Sequence, residues 1–80
     1  MLTEYIRAAM SRALYEILPD GTFYGEIPGF QGVYASTKTL EACRAELQDV
    51  LEGWIVLGLR LGHPLPVVDG VELVVQLEVA

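Results

Sequence analysis

At 80 residues the chain makes one small domain, residues 1–80, too short to bury more than about 60% of the surface its unfolded form exposes. Eleven acids against five bases leave a net charge of −6, a field that repels phosphate and argues against direct nucleic-acid binding. Hydrophobic residues reach 52% with one cysteine and no metal-ligand spacing, so apolar surface is expected to be shared between protomers of a homo-oligomer, a dimer or tetramer. No apolar run approaches the roughly 20 residues of a membrane span, and the N-terminus lacks a basic head and an apolar signal core. No membrane association and a cytoplasmic location follow as expectations.

Residues 2–10 read as a short helix with Leu2, Tyr5, Ile6, Ala9 and Met10 on one side. So few residues do not hold a helix alone, and the segment is expected to dock on the domain or on a neighbouring chain. Strand-like runs over 13–18 and 22–27 flank Pro19-Asp20-Gly21. A three-residue loop, with Pro19 in a type I turn and Gly21 in the left-handed bulge position, sets Leu18 opposite Thr22. That register sorts Tyr15, Ile17, Phe23, Gly25 and Ile27 onto one face and Leu14, Glu16, Leu18, Thr22, Tyr24 and Glu26 onto the other. Pro28-Gly29-Phe30-Gln31-Gly32 reverses the chain into a short third strand over 33–35, and Ser36, Thr37 and Lys38 form the loop that follows.

The strongest periodicity spans residues 39–61. Leu40, Cys43, Leu47, Val50, Leu51, Trp54, Ile55, Gly58 and Leu61 share one helical face, opposite Glu41, Ala45, Gln48, Asp49 and Glu52. Thr39 supplies an N-cap hydroxyl, Gly62 a left-handed stop, and Pro64 prevents continuation. Gly58 costs about 1 kcal/mol of helix propensity, which close approach to the sheet would explain. Residues 63–70 form a connector with a turn at Asp69-Gly70. Leu73, Val75, Leu77 and Val79 then alternate with Glu72, Val74, Gln76 and Glu78, a strand pattern.

The expected fold is α+β: a short N-terminal helix, then β-β-β-α-β. A right-handed crossover would set the last strand parallel to the first in a mixed four-stranded sheet of order 3-2-1-4. One long helix would cover the Tyr15, Ile17, Phe23 and Ile27 face.

Read together, Tyr15 to Leu18, Pro19-Asp20-Gly21, Tyr24-Gly25-Glu26-Ile27-Pro28-Gly29-Phe30-Gln31-Gly32 and Thr39-Leu40-Glu41-Ala42 resemble the HicB-like antitoxin family. The likeness covers the core domain, without the C-terminal DNA-binding module that many members carry. It implies a reduced ribonuclease H-like fold of three strands, a helix and a fourth strand. It also implies a protein-binding role: occlusion of a small basic RNA-cleaving toxin, HicA-like, with a double-stranded-RNA-binding fold. The alternative is a stand-alone oligomeric scaffold or regulatory domain with no toxin partner.

Chemistry is weaker in the pattern than association, and an enzyme is not expected. Glu16 and Glu26 share a strand face, as a metal-dependent nuclease would need, but they are diagonal and surrounded by Leu14, Leu18 and Tyr24. Cys43 falls on the apolar helix face with no neighbouring base and reads as a small core residue. His63 stands where a helix dipole favours its protonated form and reads as a cap. Gly29 and Gly32 precede a strand, so they lack the helix N-terminus of a phosphate loop. No catalytic, cofactor-binding or metal-binding residues are therefore assigned. Two surface groups are the candidate partner or oligomer interface: Leu14, Leu18 and Tyr24 on the second sheet face, and Glu52, Val56 and Leu59 on the outer side of the long helix.

Overall fold

The computed structural model describes residues 2–71. In chain order these form α1 (Leu2–Ser11), β1 (Leu14–Ile17), β2 (Phe23–Glu26), β3 (Tyr34–Thr37) and α2 (Leu40–Leu61). The hairpin turns as its chemistry dictates. Gly21 donates to Leu18 C=O at 2.9 Å, Leu18 donates to Thr22 C=O at 2.8 Å, and Gly21 sits at φ 87°. The resulting register, Ile17 to Phe23 and Tyr15 to Gly25, is the one the alternation of faces requires.

The 28–32 segment is two successive turns. Phe30 donates to Ile27 C=O at 3.1 Å and Val33 to Phe30 C=O at 3.2 Å. Gly29 and Gly32 take φ 86° and 89° at the position where a type II turn requires positive φ. The double reversal drives Phe30 inward, against Tyr5 at 6.2 Å and Trp54 at 5.1 Å between ring centroids. β3 then begins at Tyr34 and runs on through Ser36 and Thr37, two residues expected in the loop. Pairing with Tyr24 and Phe23 holds them in the ladder.

Both ends of α2 are closed as the residues predict. Thr39 is extended at φ −130°, ψ 155°, and its Oγ1 accepts from Ala42 N–H at 3.1 Å. At the other end Gly62 takes φ 71°. The backbone N–H of His63 then donates to Gly58 C=O at 2.9 Å and that of Gly62 to Leu59 C=O at 3.3 Å, a Schellman pair. The cap is thus made by the His63 backbone, and its side chain is exposed. Cys43, Leu47, Leu51 and Ile55 are buried along α2. Leu40 and Leu61, expected on the same face, are exposed in the first and last turns of the helix.

The sheet departs from expectation. Among the described residues it has three strands, all antiparallel, in the order β1-β2-β3. The mixed four-stranded sheet of order 3-2-1-4 is therefore not the architecture of this chain, and the strand expected over 73–79 lies outside the described residues. The arrangement is α-β-β-β-α. Its physical origin is the two-residue link from β3 to α2, which returns the helix directly over β3 and β2. The backbone of β1 lies outside the reach of both helices, and of its side chains the Tyr15 ring leans toward α2 near Cys43 and Arg44. The face expected under the helix is consequently split: Ile27 is buried and Phe23 half-buried, whereas Tyr15 and Ile17 are exposed.

Close approach of helix and sheet falls at Gly25 and not at Gly58. A Cβ on Gly25 would lie 2.8 Å from the Tyr15 ring and 3.1 Å from Cys43 Sγ, whereas one on Gly58 would meet only the Leu65 side chain at 2.9 Å. α1 docks on α2 of its own chain and buries Tyr5 and Ala9. The Tyr5 hydroxyl donates to Pro66 C=O, and Arg12 Nε donates to Asp69 Oδ1 at 2.8 Å. Asp69 and Gly70 at φ 49° and 76° make the expected turn, closed by reciprocal hydrogen bonds between Val68 and Val71. Among the described residues, the buried hydrophobic side chains lie in one cluster contributed by α1, α2, the inner side of β3 and the loops.

Candidate interaction surface

The register that buries Ala35 and Gly25 turns Leu14, Glu16, Tyr24, Glu26, Tyr34 and Ser36 to the side of the sheet away from α2. No described element covers that side, since α1 also lies on α2. Two rows cross it: Glu16-Tyr24-Ser36, and Leu14-Glu26-Tyr34. Tyr24 and Tyr34 are diagonal neighbours in these rows, and their rings stack at 6.2 Å with 28° between planes. Tyr34 is 58% exposed and Leu14 59%. The centre of the face is thus an aromatic pair with a carboxylate on either side.

Its electrostatics follow from that composition. The Tyr24 hydroxyl is held above its ordinary pKa, first by desolvation and then by its neighbours Glu26, Tyr34 and Glu16. Neutral tyrosines between carboxylates form a surface for cations: guanidinium groups stack on aromatic rings and pair with carboxylates. Beside the pair, the 28–32 turns and the end of β2 enclose a shallow depression of about 420 Å³ bounded by Tyr24, Glu26, Gln31 and Tyr34.

Of the residues expected at an interface, Leu14 and Tyr24 meet on this face, and Leu18 is half-buried at its hairpin end. The second group is divided. Val56 is 54% exposed, and Glu52 is exposed and accepts from Gln48 Nε2 at 3.0 Å. Leu59 instead packs half-buried against the core. A different apolar group occupies the end of α2, where Leu57 and Leu61 are exposed beside Trp54, Pro64 and Leu65. Tyr34 is the residue sequence reasoning missed. Its parity is opposite to that of buried Val33 and Ala35, a signal already present in the strand expected over 33–35.

The reactive candidates are placed as follows. Glu16 lies opposite Tyr24, and Glu26 opposite Leu14, so the two carboxylates are diagonal. No group of three or more metal-ligating side chains converges among the described residues. Cys43 is fully buried with Sγ 3.6 Å from Ala35 C=O, and burial pushes its thiol pKa up. Gly29 and Gly32 serve the turns that insert Phe30 into the core. No helix among the described residues is long and apolar enough to cross a membrane.

Comparison with known proteins gives two findings. The sequence pattern of the UPF0150-like family matches residues 4–66. Among solved structures, the crystal structure of TTHA0281 from Thermus thermophilus is similar, with 41% identity, a TM-score of 0.88 and 94% of each chain covered. No curated protein matches.

Proposed function

The chain belongs to the UPF0150-like family, and from that premise we propose that it is an antitoxin-like binding module. In this reading it is not an enzyme. Its outer sheet face docks a small basic RNA-cleaving protein, HicA-like in kind, in the cytoplasm and masks the surface that would meet RNA. The observation that carries the reading is the exposed Tyr24–Tyr34 stack flanked by Glu16 and Glu26 on a sheet face that no described element covers. A net charge of −6 supports it, because a protein that binds RNA must be basic, and opposite net charges accelerate encounter. The likeness of the turn and cap motifs to HicB-like antitoxins supports it independently.

Co-expression with the product of the adjacent gene tests it. A basic partner should co-purify, and its toxicity should be suppressed by the intact chain. Glu26→Lys and Tyr34→Ala should each weaken the complex at least tenfold, about 1.4 kcal/mol. If no neighbour co-purifies and none is neutralised, the reading is wrong. A second reading, an oligomeric scaffold or regulatory domain without a toxin, is favoured by the exposure of β1, where all four residues face solvent.

A further inference from the structure

The outer sheet face has one position where a carboxylate stands directly against an exposed ring. Ile27 N–H donates to Val33 C=O at 3.4 Å, so the next pair along the ladder, Glu26 and Tyr34, is a non-hydrogen-bonded pair. Side chains come closest together in such pairs. Glu16 and Tyr24 stand wider apart. Leu18 N–H donates to Thr22 C=O, and the Glu16–Tyr24 pair, two residues further on, is again a hydrogen-bonded one. Tyr24 stacks on one side of the Tyr34 ring, and the depression bounded by Glu26 and Gln31 adjoins it.

The charge at this position is not balanced by the chain itself. Glu16 and Glu26 are diagonal on the face, repel each other, and form no ion pair among the described residues. Arg12 is bound to Asp69, Arg7 and Arg44 line a groove between α1 and α2, and Arg60 lies in the last turn of α2. Lys38 follows β3 and forms no ion pair among the described residues. Residues 72–80 contain Glu72 and Glu78 and no lysine, arginine or histidine. That segment therefore cannot supply the missing cation.

We propose that Glu26, Tyr34 and Gln31 form a seat for one arginine side chain of a basic partner protein, a refinement that rests on the binding role argued above. The guanidinium plane lies on the Tyr34 ring, two of its N–H groups donate to the Glu26 carboxylate, and the Gln31 side-chain carbonyl accepts from another. A guanidinium is planar, weakly hydrated and forked, so it stacks on a ring and pairs with a carboxylate at once. The lysine ammonium is a compact, strongly hydrated point charge that gains much less from the ring. The same cation relieves the repulsion between Glu16 and Glu26.

The experiment titrates blocked tripeptides, Gly-Arg-Gly and Gly-Lys-Gly, into the isotope-labelled full chain at constant ionic strength, read by amide chemical shifts. The arginine tripeptide should shift residues 26, 31 and 34 first and bind about threefold or more tightly than the lysine one. Tyr34→Leu should bring the two level, since only the ring distinguishes them, and Glu26→Gln should weaken the arginine tripeptide by about threefold or more. Both side chains are exposed, so the remaining shifts should be unchanged in either variant. Equal binding of the two tripeptides to the unaltered chain overturns the seat, as does an arginine preference that survives Tyr34→Leu. So does silence at residues 26, 31 and 34, the result expected if residues 72–80 or a second copy already cover them. A basic neighbour that co-purifies while the tripeptides show no preference would refute the seat alone, whereas an arginine preference with no neighbour captured or neutralised would refute the toxin-binding reading alone.

Discussion

β3 and β1 lie on the two sides of the same central strand, yet their surroundings differ completely. Ala35 of β3 is buried beneath α2, with Cys43 Sγ 3.6 Å from its C=O, whereas every residue of β1 meets solvent. The two strands are similarly apolar: Leu14, Tyr15 and Ile17 would suit a core as well as Tyr34 and Ala35 do. What separates them is the helix. A two-residue link holds α2 against the strand it follows, and one helix, about 10 Å across, covers two strands and not three. Among the described residues, exposure of β1 therefore comes from coverage, not composition.

Substitutions should expose this asymmetry, most strongly under α2. Leu51→Ala leaves a cavity among fully buried neighbours and should cost about 2–5 kcal/mol in chemical denaturation. In dilute protein, Ile17→Ala should stay within roughly 0.5 kcal/mol of wild type, since its side chain is mostly in water. Equal losses at the two sites would mean that β1 is covered after all. Gly25→Val should come next, at about 1–3 kcal/mol. Its Cβ would press on the Tyr15 ring, which has room to move outward, and on Cys43 Sγ, which does not.

The helix glycines should separate in size of effect. A Cβ on Gly53 meets nothing, so Gly53→Ala should stabilise by about 1 kcal/mol. Gly58→Ala should gain less, because Leu65 must give way at 2.9 Å. Thr39→Ala should cost about 1 kcal/mol through loss of the cap to Ala42 N–H.

The smallest effect is in pH. Burial raises the Cys43 thiol and the Tyr5 hydroxyl above their ordinary values, so the folded state keeps protons that the unfolded chain releases. The associated stability is complete below the unfolded values and is lost as pH rises through the raised folded ones, the decline starting at roughly pH 8.5 for the thiol. Thermal melts should show that decline, and Cys43→Ala should flatten its first part. On the acid side Arg12 holds the Asp69 carboxyl below its usual range. That contribution is present above the unfolded carboxylate value and is lost as pH falls through the lowered one. Both groups are well exposed, so Asp69→Asn should move the acid limb little.

Local chemistry made much of this legible in the chain. Pro19-Asp20-Gly21 set the hairpin register, Thr39 and Gly62 bounded the helix, and Asp69-Gly70 marked a turn, because each depends on the φ preferences and hydrogen bonds of a few adjacent residues. The candidate face was legible in part. Leu14 and Tyr24 follow from strand parity; Tyr34 lay inside the expected third strand, but its place beside Tyr24 emerged only with the β2–β3 register. Leu59 fails as a surface residue because a wheel assigns directions around an axis and does not say where the connector returns. Leu65 comes back across Gly58 and shields that turn.

By itself, then, the sequence determined two helices, a hairpin of known register, the acidic charge and the turn and cap motifs, all properties carried by residues near one another. The tertiary structure decided the rest: among the described residues, three strands in the order β1-β2-β3, α1 docked on α2, and one sheet face that no element covers. These depend on which surfaces a single helix reaches when tethered by two residues, and that is a question of chain geometry to which local propensities are blind.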